Sequence, residues 1–282
     1  MAASLIFPWR FMLASSYYLP GTILSLVSSG KLSTLFSWFG FQAVWFSRFW
    51  GWAGPQVRSS AEIKVVPLLE GRVSAGDVLP SGSTHQGVGG TVLEIGPGSG
   101  MWVSIFSDKY LGLSATKSGS RSKVTRVYGV EPNAGVHAGL RAQIAAAGLE
   151  DMYEIVPVGI EDLERSGRVE RESVDCIVSV LCLCSIPNPQ HNITELYSYL
   201  KPGGRWFVYE HVKCAHWQGR GIAAYQALMN YIWPHFIGGC ELRRDTGKWL
   251  REAGPWSVVD LTEPIGQPWF IPLPHVIGVL TK

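Results

Sequence analysis

The stretch Gly90–Trp102, GTVLEIGPGSGMW, constrains this chain more than any other. A short apolar run, Thr91 to Ile95, leads directly into Gly96, Gly98 and Gly100 on alternate positions. A run this short, closed by glycines, reads as a strand buried on both faces, the kind found in a parallel sheet. Glycine-rich turns after such strands let backbone N–H groups approach a nucleotide. The spacing departs from the dinucleotide fingerprint G-x-G-x-x-G, because the third glycine comes one residue early. No Gly-Lys-Ser/Thr follows, so the phosphate-binding loop of nucleoside triphosphatases is absent too.

From about residue 60 onward, apolar runs alternate with helical patterns, which predicts an α/β fold with a mostly parallel sheet. The expected strands are TVLEI (91–95), VTRVYGVE (124–131), MYEIVPV (152–158), a segment within SVDCIVSVLCLCSI (173–186), RWFVYEHV (205–212), WSVVDLTE (256–263) and HVIGVLTK (275–282). Helices are expected over Ser99–Tyr110, Asn133–Gly148, Gln190–Leu200, Gln218–Trp233 and Glu241–Ala253. LGLSATKSGSRSK (111–123) is polar and rich in Gly and Ser, and reads as a surface loop.

The acidic residues narrow the nucleotide. Glu94 stands two residues before the first glycine, where a carboxylate repels a pyrophosphate and suits a ligand with a positive amino group. S-adenosylmethionine has that group and no phosphate. Glu131, at the tip of the second strand, is placed to accept both hydroxyls of a ribose. Gly159-Ile160-Glu161-Asp162 follows the third strand, and Glu161 or Asp162 is a candidate acceptor for an adenine amino group.

The ordered pieces VLEIGPGSG, YGVEPN, GIEDL, SVDCIVSVLCLCSI and LKPGGRWFVYEHV, over about residues 88–212, resemble class I S-adenosylmethionine-dependent methyltransferases. The resemblance implies a Rossmann-like, seven-stranded sheet whose last strand is antiparallel. It implies cofactor contacts at Glu94, Gly96, Gly98, Glu131, Ile160 and Glu161, and at Val180, Leu181 and Cys182 after the fourth strand, with Gly100 completing the turn. LCLCSIPNP, VYEHV, IGGCELRRDTGKWLREAG and PHVIGVLTK are further similar to small membrane-anchored thiol S-methyltransferases (methyltransferase type 11) of the endoplasmic reticulum and lipid droplets. That likeness implies a small lipophilic methyl acceptor, with thiol, hydroxyl and amine all open. A role in natural-product biosynthesis is an alternative home for such an enzyme.

Candidate bases for the acceptor lie at the carboxyl ends of the strands, where open α/β sheets bind ligands. They are Glu210 and His211 on the fifth strand and His275 at the start of the last. A histidine titrating near neutrality suits removal of a proton from a thiol or phenol. Glu210 reads equally well as a structural hydrogen-bonding residue. The five cysteines, Cys176, Cys182, Cys184, Cys214 and Cys240, are odd in number and contain no C-x-x-C pair, so they read as reduced, packed thiols and no metal site is expected. The segment 217–236 places Trp217, Tyr225, Tyr231 and Trp233 as an aromatic lid over the open sheet edge.

Residues 1–58 form a distinct region before a catalytic domain over 59–282. No charged residue separates Arg10 from Lys31, a length close to a bilayer span. Leu32 to Gly54 then carries only Arg48, and five of the twelve tryptophans lie before residue 60. Three readings are open: a membrane anchor or interfacial hairpin, a cleaved secretory signal, and a cap over the substrate pocket. If the segment spans, Lys31, Arg48 and Arg58 follow it, and the positive-inside rule puts the catalytic domain in the cytosol. The net charge of +2 and a charged fraction of 16% lack the basic stripe of a nucleic-acid partner. A membrane-bound scaffold without catalysis and a nicotinamide oxidoreductase are the rival functions; the glycine spacing disfavours the second.

Overall fold

The computed structural model describes residues 1–80, 82, 84–107 and 123–282. The polar loop expected over 111–123 lies outside the described residues apart from Lys123, as do residues 108–110 of the first expected helix.

All seven expected strands form: β1 Gly90–Ile95, β2 Val124–Val130, β3 Tyr153–Val156, β4 Val174–Val180, β5 Leu200–His211, β6 Val258–Thr262 and β7 His275–Thr281. They make one sheet in the order β3-β2-β1-β4-β5-β7-β6. The first five are parallel, and β7 lies antiparallel between β5 and β6. This is the class I methyltransferase arrangement. The order reverses between β1 and β4, so the chains leaving these two neighbours diverge and open a crevice at their carboxyl ends.

Alternation along the strands supplies two cores. Val92, Val178, Phe207 and Val279 point to one face, where Val65 and Leu68 of a long N-terminal helix meet Leu140 and Ile144 of helix α5 (His137–Ala146). Leu93, Ile177, Trp206 and Leu280 point to the other, against Ile193 and Leu196 of α7 (Pro189–Tyr199). The long helix is α4, Trp38–Leu69, and it runs unbroken across residue 58. Before it come α1 (Ala2–Tyr17), α2 (Leu19–Ser28) and the short α3 (Leu32–Phe36), while α6 (Leu163–Ser166) follows β3.

Three expected helices are shortened, each for a local reason. Within Ser99–Ser107 only a 3₁₀ turn at Val103–Phe106 forms, because Gly98 and Gly100 hold positive φ and the helical path starts late. The lid helix, α8 (Gly219–Asn230), stops short of Trp233; Pro234 cannot continue its bonding, and the chain restarts as the one-turn α9, Trp233–Phe236. Glu241–Ala253 contracts to α10, Thr246–Glu252. The backbone before α10 is tied elsewhere: Leu242 N–H donates to Asn230 Oδ1 (2.6 Å), and Lys213 N–H donates to Arg244 O (3.0 Å).

The inner half of the sheet carries a buried acid. Glu94 on β1 pairs in register with Gly129 on β2. Gly129 leaves room for the Tyr153 side chain to cross from β3: a Cβ at Gly129 would lie 2.3 Å from the Tyr153 hydroxyl oxygen. The hydroxyl donates to Glu94 Oε2 at 2.5 Å. Burial pushes the Glu94 carboxyl up to about 7; the Tyr153 hydrogen bond opposes the rise and the Glu131 carboxylate adds to it.

Gly129→Ala should therefore displace Tyr153 and lower stability by about 2 kcal/mol, read as a lower midpoint in urea. For Glu94 the folded-state pKa lies above the unfolded value, so stability is lost as pH rises from about 4.3 to about 7. Glu94→Gln, which keeps an acceptor for Tyr153, should match the wild type below that window and exceed it by about 3 kcal/mol above it. Melting temperatures that differ by the same amount at pH 4.5 and pH 8 would count against this assignment.

Candidate active site

The crevice at the carboxyl ends of β1, β2, β4 and β5 opens into one cavity of about 890 Å³. Its two ends are built differently.

At the first end lies the glycine turn. Gly96 has positive φ (+63°), and a Cβ there would stand 2.8 Å from the Cys182 Cβ, so only glycine lets β1 and the exit of β4 come together. Gly98 N–H donates to Glu131 Oε2 (3.0 Å), and Asn133 N–H donates to Oε1 (2.8 Å). Burial raises the Glu131 carboxyl, and these two N–H donors hold it back. Each oxygen keeps a further lone pair toward the cavity. α4 braces the turn: Arg58 Nη1 donates to Met101 O (2.6 Å), and its guanidinium lies over the Trp102 ring at 5.6 Å. Val180, Leu181 and Cys182 line the opposite wall; Leu181 takes a left-handed conformation (φ +55°), with its N–H on Tyr209 O (2.9 Å).

Of the residues assigned to the cofactor from sequence, Gly96, Gly98, Glu131, Ile160, Glu161, Val180, Leu181 and Cys182 line this cavity together. Glu94 and Gly100 do not. Glu94 points along the sheet to Tyr153, and Gly100 packs against Leu140 and Gln143 of α5. Between the two adenine candidates, Asp162 pairs with Arg165 at 2.8 Å and leaves Glu161 at the wall.

S-adenosylmethionine fits this end on three observations. Among the described residues, the lining holds no lysine or arginine, so a phosphate would find no cationic partner. A Cβ at Gly98 would meet nothing within 4 Å, which is the open cradle that a ligand approaching the backbone requires. The Trp102 Nε1–H is buried without a protein partner beside the cavity, a donor free for a ligand's acceptor.

The second end is formed by Tyr209 and His211 of β5, His275 of β7, Cys184 after β4, and Trp233 and Cys240 of the lid region. His211 Nε2 lies 3.0 Å from Cys240 Sγ, while its Nδ1 is buried without a partner. The cluster is electrostatically coupled. The Cys240 thiol and then the His211 imidazole hold Cys184 well below the usual thiol range, whereas burial raises Cys240. Burial draws His211 down, but the Cys184 sulfur outweighs it and the net direction is up. His275 stacks on Tyr209 (centroids 4.9 Å, 7° apart), and burial pulls it to about 3, so it is neutral throughout the physiological range.

Glu210, a candidate base from sequence, is not part of the lining. It is fully buried and accepts from Cys182 N–H (3.1 Å) and Leu183 N–H (3.2 Å), and burial raises it to about 8. Alternation on β5 explains the difference: His211 faces the cavity, so its neighbour must face away. The expected lid is half met. Trp233 lines the cavity and Tyr225 supports it, while Trp217 and Tyr231 are exposed. Cys240 lies in the segment IGGCELRRDTGKWLREAG, but nothing in the sequence places its sulfur beside His211. Cys184 was visible beside the fourth strand but not its convergence with His211. His211 meets Cys184 and Cys240, although no metal site was expected from the cysteine spacing.

The remaining wall comes from the N-terminal helices, with Phe7, Phe11, Phe46 and Trp50 among its residues. Ser15 Oγ donates to Phe236 O (2.8 Å), Trp45 Nε1 to Ser15 O (2.8 Å), and Gln42 Nε2 to Pro234 O (2.7 Å), fastening α1 and α4 to the lid. These helices thus form one wall of the cavity. Ala2–Ser28 is also long and apolar enough to cross a membrane by length and composition, and only 22% of its most apolar window is buried.

A family model described as a methyltransferase domain matches residues 74–256. Thiol S-methyltransferase TMT1B of Rattus norvegicus is 33% identical over 120 residues, 42% of this chain and 48% of that protein. Human thiol S-methyltransferase TMT1A is 29% identical over 123 residues, with 42% and 48% covered. The matched stretch thus spans about half the length of these relatives. Among solved structures, an O-methyltransferase family protein from Burkholderia thailandensis superposes with a TM-score of 0.57 at 12% identity, covering 96% of this chain and 71% of that one. The [4+2]-cyclase SpnF gives 0.50 at 15% identity, covering 79% and 81%. These two likenesses carry the fold and not the reaction. With the family match, the strand order and the turn together, the chain belongs to the class I S-adenosylmethionine-dependent methyltransferases.

Proposed function

We propose that this protein transfers a methyl group from S-adenosylmethionine to a small lipophilic thiol at a membrane surface. The observation that carries the reading is the single cavity, which joins a phosphate-excluding cofactor end to a sulfur- and imidazole-lined acceptor end through aromatic walls. The 33% identity to thiol S-methyltransferases supports a thiol over a hydroxyl or an amine.

When bound, the cofactor supplies an electrophilic methyl group on a sulfonium. The chain's own residues then have mainly to position and to exclude water. Glu131 accepts the ribose hydroxyls, Glu161 the adenine amino group, and the backbone at Gly96 and Gly98 allows close approach. Val180, Leu181 and Cys182 close the other side. Glu210 acts as a positioning residue, holding the backbone of Cys182 and Leu183. His275, neutral and stacked on Tyr209, shapes the acceptor end, and His211 reaches the acceptor sulfur together with the two cysteines beside it.

Residues 1–58 serve as both cap and anchor. α1 is fastened to the lid through Ser15, yet Leu13 (72% exposed), Tyr17 (82%), Leu24 (70%) and Phe39 (82%) face outward. This pattern supports helices lying in the membrane interface, with the acceptor entering from the lipid. The catalytic domain then sits on the cytosolic face of the endoplasmic reticulum or of a lipid droplet.

Calorimetry should show S-adenosylmethionine binding to the full chain, weakened about a hundredfold, or ~3 kcal/mol, in Glu131→Ala. Radiolabelled methyl transfer across thiols, phenols and amines should give product with lipophilic thiols. Absence of binding would sink the reading; binding without transfer would leave the scaffold alternative; label only in phenols or amines would replace the acceptor. In liposome flotation, the combined Leu13→Ser, Tyr17→Ser, Leu24→Ser and Phe39→Ser variant should leave the floating fraction. Undiminished flotation would refute the interfacial anchor.

A further inference from the structure

Cys184, His211 and Cys240 come from three distant parts of the chain and converge at the acceptor end. They stand on the loop after β4, the last residue of β5 and the loop before α10. All three are buried, all three line the cavity, and their ligand atoms lie within 4.8 Å of one another. We propose that they form a three-ligand site for a thiophilic divalent cation, zinc foremost, whose fourth position faces the cavity and receives the sulfur of the acceptor. The acceptor part of this inference rests on the thiol reading above; the metal part does not.

Four features favour a cation over a packed cluster. Two thiolates and an imidazole are a donor set that selects zinc, and three protein ligands with one open position is the pattern of catalytic rather than structural zinc. Two thiolates also balance the charge of a divalent ion, as burial in an apolar wall requires. The sulfur of Cys240 already accepts a hydrogen bond from Trp233 Nε1 (3.1 Å), the kind of outer donor that steadies a ligating thiolate. The His211 ring presents Nε2 to the cluster, 3.0 Å from Cys240 Sγ, so the imidazole nitrogen already stands among the sulfurs.

The supports are rigid as well. Arg244 Nη1 donates to both Leu183 O (2.7 Å) and Ile186 O (2.6 Å), spanning the loop that carries Cys184. Glu241 N–H donates to Cys184 O (2.9 Å), joining that loop to the one that carries Cys240. The ligand positions are thus held by bonds that exist without the ion.

The site gives the acceptor a route to its reactive form. The thiol S–H proton passes to water as the sulfur binds the cation. The sulfur's electron pair then forms the new S–CH₃ bond, and the old C–S bond of the sulfonium breaks with its pair left on the departing sulfide. The product is a neutral thioether, a weaker ligand than a thiolate, and it leaves.

The full chain, purified under reducing conditions without added metal, should carry one zinc per chain by elemental mass spectrometry. Refilled with Co²⁺, it should show sulfur-to-cobalt charge transfer in the near ultraviolet. Cys184→Ser, Cys240→Ser and His211→Ala should each weaken metal retention by about tenfold or more. Their calorimetric binding of S-adenosylmethionine should stay intact, which separates ligand loss from misfolding. Benzenethiol added to the Co²⁺ protein should shift the visible bands. Failure of the reduced wild type to retain zinc or cobalt at micromolar concentration would overturn the site, as would a Cys184–Cys240 disulfide in freshly purified protein. Metal binding with no spectral response to benzenethiol would overturn its acceptor role. Stoichiometric zinc in a protein that methylates no thiol would instead overturn the proposed function and leave the site standing.

Discussion

A buried carboxylate, Glu210, ties the exit of β4 to the end of β5, and both ends of the cavity depend on it. It accepts the backbone N–H groups of Cys182 and Leu183, immediately after the strand whose tip forms the cofactor wall. The same loop delivers Cys184 two residues later, and the residue after Glu210 is His211. One acid thus sets the distance between the two ends of the cavity. A buried acid is unfavourable unless its oxygens are engaged, and here two backbone donors and the Cys182 thiol engage them. The arrangement is local in space but links residues 28 positions apart in the chain.

What was legible in the sequence follows from the range of the interactions involved. The sheet could be read because each strand announces itself by apolar runs and neighbouring glycines, and the order of pieces carries the topology. The place of Glu131 could be read because a strand tip at this edge of the sheet faces the cavity. Glu94 stands at a comparable place, yet its side chain is turned along the sheet by Gly129 and Tyr153, contributions of two other strands. The convergence of Cys240 with His211 and Cys184 could not be read for the same reason: local turns bond Gly239 to Pro234 and Cys240 to Ile237, while Asn230 and the backbone beyond β5 hold the loop that follows.

The N-terminal region presents one face to the cavity and another outward, which is what the proposed combination of cap and anchor requires. A cap needs aromatic side chains facing the cavity, and an anchor needs them facing lipid. A helix offers both faces, so α1 turns Phe7 and Phe11 to the pocket and Leu13 and Tyr17 outward. α4 then carries the same surface into the catalytic domain without a joint, bracing the glycine turn through Arg58. A movement of the helices at a membrane would be felt at the turn itself.

The electrostatics of the cavity favour one kind of reaction. Its lining holds no lysine or arginine among the described residues, and its walls are largely aromatic and aliphatic. In such a medium, opposite charges attract far more strongly than in water. Transfer from a sulfonium to a thiolate turns a cation and an anion into two neutral products. Separated charges are poorly supported here, so the reactants are driven toward the state in which both charges are lost. A neutral amine would gain a positive charge as the sulfonium lost its own, with no such gain from the low-polarity walls. The apolar cavity therefore suits an anionic acceptor over a neutral amine on energetic grounds, and a thiol, more acidic than a phenol, reaches that form more readily near neutral pH.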